Sequence, residues 1–260
     1  MPKALAECLR QHTCLYASFD RTVNADFSRG EGTAKYQPQV VRHASYGGRY
    51  GGGLHFSAAD YGWAEDEFVF RAEDNFPYSS GPFEGTVSLW LNCDPDADLA
   101  AAYPVDPFHL SRHPADGSFY LDLTRPNDER YGSPRKLRFG MYGDSPERQR
   151  HVGGQLIVAG DLGWKRGEWH HVVATWRNFN SGRKDAAAEV YVDEARRGWM
   201  EGFEHRLTWD LAGMRIGLGQ RFAGLLDELL VLDVALSAAQ VQALHRLPGP
   251  AGDLLQCRPG

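Results

Sequence analysis

Between Glu168 and Asn178 the chain reads Glu-Trp-His-His-Val-Val-Ala-Thr-Trp-Arg-Asn, an aromatic and β-branched run opened by Gly167. Laid out as a strand, it is apolar on both faces. Trp169, Val173 and Thr175 fall on one side, and Val172, Ala174 and Trp176 on the other. A strand of this kind needs cover above and below, so it belongs inside a layered sheet rather than at a wet surface. Two further stretches point the same way. Ala188–Asp193 alternates, with Val190 and Val192 opposite Glu189, Tyr191 and Asp193. In Gly224–Leu232, Leu229 and Val231 face a core while Glu228, Leu230 and Leu232 face elsewhere, and Gly224 allows a close approach or bulge. Ser237 then starts a short helix as N-cap, with Gln240 three residues on to reach back. Val241 and Leu244 give that helix an apolar stripe, and Pro248-Gly249-Pro250 ends it.

Upstream, strands are expected at Leu15–Asp20, Leu54–Phe56, Glu67–Arg71, Thr86–Asn92, Pro107–Arg112, Ser118–Thr124, Lys136–Tyr142 and Gln155–Ala159, with a helical turn or arm over residues 3–11. In Ser118–Thr124, Phe119, Leu121 and Leu123 alternate with Tyr120, Asp122 and Thr124. In Lys136–Tyr142, Leu137, Phe139 and Met141 alternate with Arg138, Gly140 and Tyr142. One core face and one wet face are expected for such strands. No repeat, linker or second domain is visible. The 29 glycines supply the turns that a many-stranded antiparallel protein requires. The fold class is therefore all-β: a two-sheet antiparallel jelly-roll sandwich with a short C-terminal helix, forming one domain over 1–260 with its core in about 14–247.

Gly167-Glu-Trp-His-His-Val-Val-Ala-Thr-Trp176, followed by Phe222-Ala-Gly-Leu-Leu-Asp-Glu-Leu229 and Ala235-Leu-Ser237, resembles the laminin-G-like family of the concanavalin A-like lectin/glucanase superfamily. Tyr16-Ala-Ser-Phe-Asp20, Tyr50–Phe56 and Gly85–Leu91 are similar to other strands of that family. The resemblance implies a concanavalin A-like sandwich. For function it is unspecific, because this fold carries lectins, accessory modules of glycosidases, lyases and cell-surface receptors. It also implies a structural Ca²⁺ held by Asp227, Asp20 and the backbone of Gly51–Gly53, with Gly53 among the contributors. Such an ion takes six to eight oxygens at about 2.3–2.6 Å, which loop carbonyls and one or two carboxylates supply. The alternative for Asp227 is a turn cap or an Arg partner.

The polar face of the concave sheet and its rim are where a ligand can lie. Tyr61, Trp63, Arg112, Tyr120, Asp122, Arg138 and Tyr142 offer aromatic faces with charged donors and acceptors, which suit the C–H faces and hydroxyls of a sugar. The alternative is an ordinary solvent-facing row. The expected function is a non-catalytic carbohydrate-binding, lectin-like module for a polysaccharide or glycan. A lyase built on His109, Arg112, Tyr120 and Arg138 is the enzymatic alternative, ahead of a hydrolase. A protein-interaction or adhesion domain, as part of a larger assembly, is the third. No paired carboxylates occur at the one-strand spacing of the superfamily's glucanases.

Other signals exclude more than they assign. Asp94-x-Asp96-x-Asp98 fails as a calcium loop, since Leu99 and Val105 stand where Gly and Glu are needed; a solvated acidic loop is expected. Gly217-Leu-Gly219 is no dinucleotide fingerprint. His170-His171 is expected in a structural role. A net charge of −6 with scattered cations argues against nucleic acid as partner. No stretch approaches the roughly 20 apolar residues of a membrane span, and the N-terminus carries no secretory signal. An extracellular or periplasmic location within a longer precursor is expected. Among Cys8, Cys14, Cys93 and Cys257, a Cys8–Cys14 bridge, a Cys14–Cys257 bridge and free thiols all remain open.

Overall fold

The computed structural model describes residues 2–57, 67–100, 102–110, 119–143 and 156–256. Two antiparallel sheets form a sandwich, mostly strand with few helices. The nine-stranded sheet holds, in order along its main path, β14 (Ala195–Phe203), β13 (Ala186–Val192), β12 (His170–Phe179), β7 (Phe83–Asn92), β16 (Gly224–Leu232), β1 (Thr13–Ala17) and β2 (Phe27–Ser28). Two more strands, β4 (Val41–Ala44) and β5 (Gly53–Phe56), attach to β16 through β5. The seven-stranded sheet runs β11 (Leu156–Ala159), β10 (Leu137–Met141), β9 (Phe119–Leu123), β8 (Val105–Leu110), β15 (Arg215–Gln220), β6 (Phe68–Arg71) and β3 (Lys35–Tyr36).

The doubly apolar run becomes β12, with one face in each of two cores. Val172, Ala174 and Trp176 enter the core between the sheets, while Val173 enters a second core on the outer face of the nine-stranded sheet. That outer core is roofed by helices. Leu5 and Leu9 come from α1 (Pro2–His12), Val241 and Leu244 from α3 (Ala238–His245), and Ala251 leads into α4 (Gly252–Gln256). β16 divides in the same way: Leu226, Leu229 and Val231 face inward, and Leu230 and Leu232 face the helices. A break in pairing between Asp227 and Leu230, with Glu228 at φ 55°, switches the strand from β5 to β1 on one edge while β7 follows the other. Ser237 caps α3 as expected, with the full reciprocal pair of bonds to Gln240.

One expectation is corrected, and of the cysteine pairings left open one is ruled out. The acidic run is not a solvated loop but a helical turn, α2 (Pro95–Asp98). Asp94 Oδ1 accepts from the backbone of Asp96 and Ala97, Asp96 accepts from Arg135 N, and Asp98 pairs with Arg166. Pro95 at the first helical position and the cap at Asp94 explain the turn. Nor is a Cys8–Cys14 bridge made: Cys8, Cys14 and Cys93 are free, and Cys257 lies outside the described residues. No helix among the described residues is long and apolar enough to cross a membrane.

Candidate functional site

Alternation in β8, β9 and β10 sends Phe108, Leu110, Phe119, Leu121, Leu123, Leu137, Phe139 and Met141 into the core. The opposite parity therefore shares the sheet's outer face. Register places Gly140 opposite Tyr120, Tyr120 opposite His109 and His109 opposite Gly217, in one row across four strands. Glycine at the two ends of this row is a spatial requirement. A Cβ on Gly140 would fall 2.1 Å from Tyr120 Cζ, and one on Gly217 would fall 2.2 Å from the His109 ring. Both rings thus lie over bare backbone.

In the neighbouring row Arg138 stands opposite Asp122. The two form an ion pair in which Arg138 Nε donates to Asp122 Oδ1 at 2.7 Å and Nη2 to Oδ2. Such a forked pair fixes both side chains. Tyr142, one step past the end of β10, accepts a hydrogen bond from Tyr120 at 2.9 Å between hydroxyl oxygens, and the ring centroids are 5.7 Å apart. The Arg138 guanidinium also sits 5.7 Å from the Tyr131 ring, a residue that sequence reasoning passed over because it lies in a turn.

This face is not as wet as expected. Asp122 is only 2% exposed. Burial raises the pKa of Asp122 against the pull of Arg138, and raises that of Asp106, on β8, further, helped by the Asp122 charge. Burial, then Asp122 and Tyr142, holds the Tyr120 phenol well above its ordinary pKa. A lyase needs a tyrosine or histidine that gives up its proton readily, and these surroundings work against Tyr120 in that role.

Of the seven ligand residues expected from sequence, Tyr120, Asp122, Arg138 and Tyr142 come together here. Tyr61, Trp63 and Arg112 lie outside the described residues.

The three residues expected at calcium also converge. Asp20 Oδ1 accepts from Gly52 N at 3.0 Å. Asp227 Oδ2 accepts from Tyr50 N at 3.1 Å, and its Oδ1 from Glu228 N at 2.9 Å. The glycine loop between them is a cradle that side chains would fill. A Cβ would meet Asp20 Oδ1 at 2.2 Å from Gly51, Phe19 O at 2.5 Å and Asp20 O at 2.8 Å from Gly52, and Asp227 Oδ2 at 2.8 Å from Gly48. Gly53 closes the loop, with a Cβ there 3.4 Å from Leu226 O. Asp227 is fully buried and forms no ion pair among the described residues. Burial and then Glu228 push its pKa up to about 8, against three backbone N–H donors. Glu228 itself is raised to about 7, chiefly by burial. Two carboxylates and carbonyl oxygens on bare backbone are the donor set a hard cation takes. No cluster of three or more His, Cys, Asp or Glu ligands occurs among the described residues, so backbone oxygens would have to supply most of the shell.

His170 and His171 occupy structural positions. His171 is buried, within 2.8 Å of Ser88 Oγ, and stacks on Trp90; burial lowers its pKa to about 3. His170 stacks on Trp164 and holds Asp193 at 2.7 Å.

Residues 68–242 match the family model of the concanavalin A-like lectin/glucanase superfamily, and the chain belongs to that superfamily. No curated protein matches it in sequence. Among solved structures it is similar to domain 4 of AbnA, an extracellular arabinanase of Geobacillus stearothermophilus, in complex with arabinotriose. That match has 18% identity and a TM-score of 0.56, over 90% of this chain and 98% of that one. The binding domain of Paraclostridial mosquitocidal protein 1 matches at 11% identity and TM-score 0.64, over 91% of this chain and 52% of that one. The ligand-binding domain of botulinum neurotoxin serotype D, in complex with N-acetylneuraminic acid, matches at 9% identity and TM-score 0.63, over 93% and 52%. The chain thus spans about half of each toxin domain.

Proposed function

We propose that the chain is a non-catalytic glycan-binding module whose ligand lies on the outer face of the seven-stranded sheet. The observation that carries this reading is the joining of Tyr120, Tyr142, Asp122 and Arg138 into one hydrogen-bonded, ion-paired patch. Rings held over bare backbone give a sugar's C–H face something rigid to stack on, the tyrosine hydroxyls give its hydroxyls partners, and the buried Arg138–Asp122 pair stiffens the patch. The arabinanase domain with arabinotriose and the toxin domain with N-acetylneuraminic acid support a sugar-binding role for this sandwich.

A structural Ca²⁺ belongs to the proposal. Asp20, Asp227 and the Gly51–Gly53 backbone would hold it, and its charge would tie the N-terminal loops to β16 without doing chemistry. An extracellular or periplasmic setting, within a longer polypeptide, suits a module of this kind.

Affinity electrophoresis in gels cast with single polysaccharides, arabinan and pectin among them, tests the function. Retardation on at least one is expected. Tyr142→Ala should weaken it by roughly tenfold, the loss of about one aromatic contact. No retardation on any neutral or acidic polysaccharide would overturn the reading.

A further inference from the structure

A cleft of about 650 Å³ opens on the nine-stranded sheet, where β4 and β5 meet the start of β16 and the end of β7. It is built from different strands than the tyrosine–arginine patch. We propose that this cleft is a second binding site, for a sugar that carries a carboxylate.

The polar groups that line the cleft are mostly hydrogen-bond donors. Arg42 is exposed on β4, and among the described residues it meets no carboxylate. Its Nη2 lies 3.1 Å from His55 Nδ1 on β5. A guanidinium can only donate, so Nδ1 accepts and the His55 proton sits on Nε2. Asn92, at the end of β7, accepts from Gly167 N through Oδ1 at 2.9 Å, leaving its amide NH₂ to donate.

The acid in the lining, Asp98, is already taken by Arg166. Among the described residues the cleft therefore presents donors and one cation without a carboxylate partner, on a chain whose net charge is −6. Locally positive clefts on an acidic protein select anions by field as well as by contact. A planar carboxylate matches the guanidinium fork.

The rim favours a sugar over a simple anion. Tyr46 is 90% exposed and packs on nothing that hides its ring. Beside it Gly47 has φ 107°, and a Cβ there would meet nothing within 4 Å, so bare backbone and an open aromatic face flank the cation. The volume is that of a small-ligand pocket, which spans ~300–1,000 Å³.

Calorimetric titration of the whole chain with trigalacturonic acid, and with the same trimer reduced to neutral galactose, tests the proposal. The acidic trimer is expected to bind at least ~10-fold tighter, as a charge-assisted fork implies, and more weakly as salt rises. Arg42→Gln should abolish that preference while leaving the melting temperature unchanged, and Arg42→Lys should restore only part of it. Tyr142→Ala, on the other sheet, should leave the preference intact, which separates this site from the one proposed above. Equal binding of both trimers, no binding of either, or a preference that survives Arg42→Gln would overturn it. So would a preference lost only in Tyr142→Ala, which would move the acid selectivity to the other face. A sulfated neutral trimer that matches the acidic one would reassign the cleft to sulfate and overturn the carboxylate.

Discussion

Arg138 and Asp122 show how much one pair can be asked to hold. Both side chains are largely withdrawn from water, at 13% and 3% exposure, on a face that sequence alternation alone would leave wet. Removing the cation strands a buried carboxylate, so Arg138→Ala should cost about 3–5 kcal/mol of stability. Asp122→Asn on that background should recover part of the loss, because the charge left unpaired is then gone. Urea denaturation of these two variants and of Asp122→Asn alone checks both effects, and additive losses would show that the pair is not coupled. Gly140 is a second case at this scale. Any side chain there must displace the Tyr120 ring, so Gly140→Ala should weaken glycan binding more than it lowers the melting temperature. The alternation of β9 and β10 predicts which residues share the patch. The Arg138–Asp122 pairing needs cross-strand register, and Tyr131 reaches the patch from a turn that carries no periodic signal.

Local chemistry governs elements more faithfully than it governs their partners. The Ser237 cap is readable because its chemistry spans three residues, and Ser237→Ala should destabilise the chain by about 1 kcal/mol, seen as a lower melting temperature at unchanged binding. The two faces of β12 and β16 are equally readable, since a strand's period of two is set by its own side chains. The turn at Asp94–Asp98 was legible only as an acidic cluster. Its cap and proline were in plain view, but its role depends on Arg135 and Arg166, which are distant in sequence. The division of β16 between β5 and β1 was likewise out of reach. It follows from a break at Asp227–Leu230, where Glu228 takes a positive φ that sequence does not favour for glutamate. The cleft beside β4 and β5 has the same cause, since it exists only because β5 takes that edge of β16.

At the scale of the whole molecule, the buried acids of β16 couple stability to pH and, in the proposal made above, to calcium. The folded-state pKa of Asp227, about 8, and that of Glu228, about 7, lie above their ordinary values of 3.8 and 4.5. The fold therefore favours the protonated forms. Their contribution is complete below about pH 4 and is lost as pH rises through 7 to 8. In chelator the melting temperature should fall between pH 5 and pH 9. Saturating calcium should raise it more at pH 8 than at pH 5, where the ion must first displace a proton. Differential scanning fluorimetry across that range checks this, and a flat profile in chelator would contradict the burial of Asp227. The edge-sharing of β16 has a further consequence, for biogenesis. β1, β5 and β7 each leave the ribosome well before the strand that joins them, so half-made chains carry open edges that invite association with other nascent chains. Closure waits until residues 224–232 have emerged, so the nine-stranded sheet forms late and through pairings of long sequence separation, the topology of a slow folder.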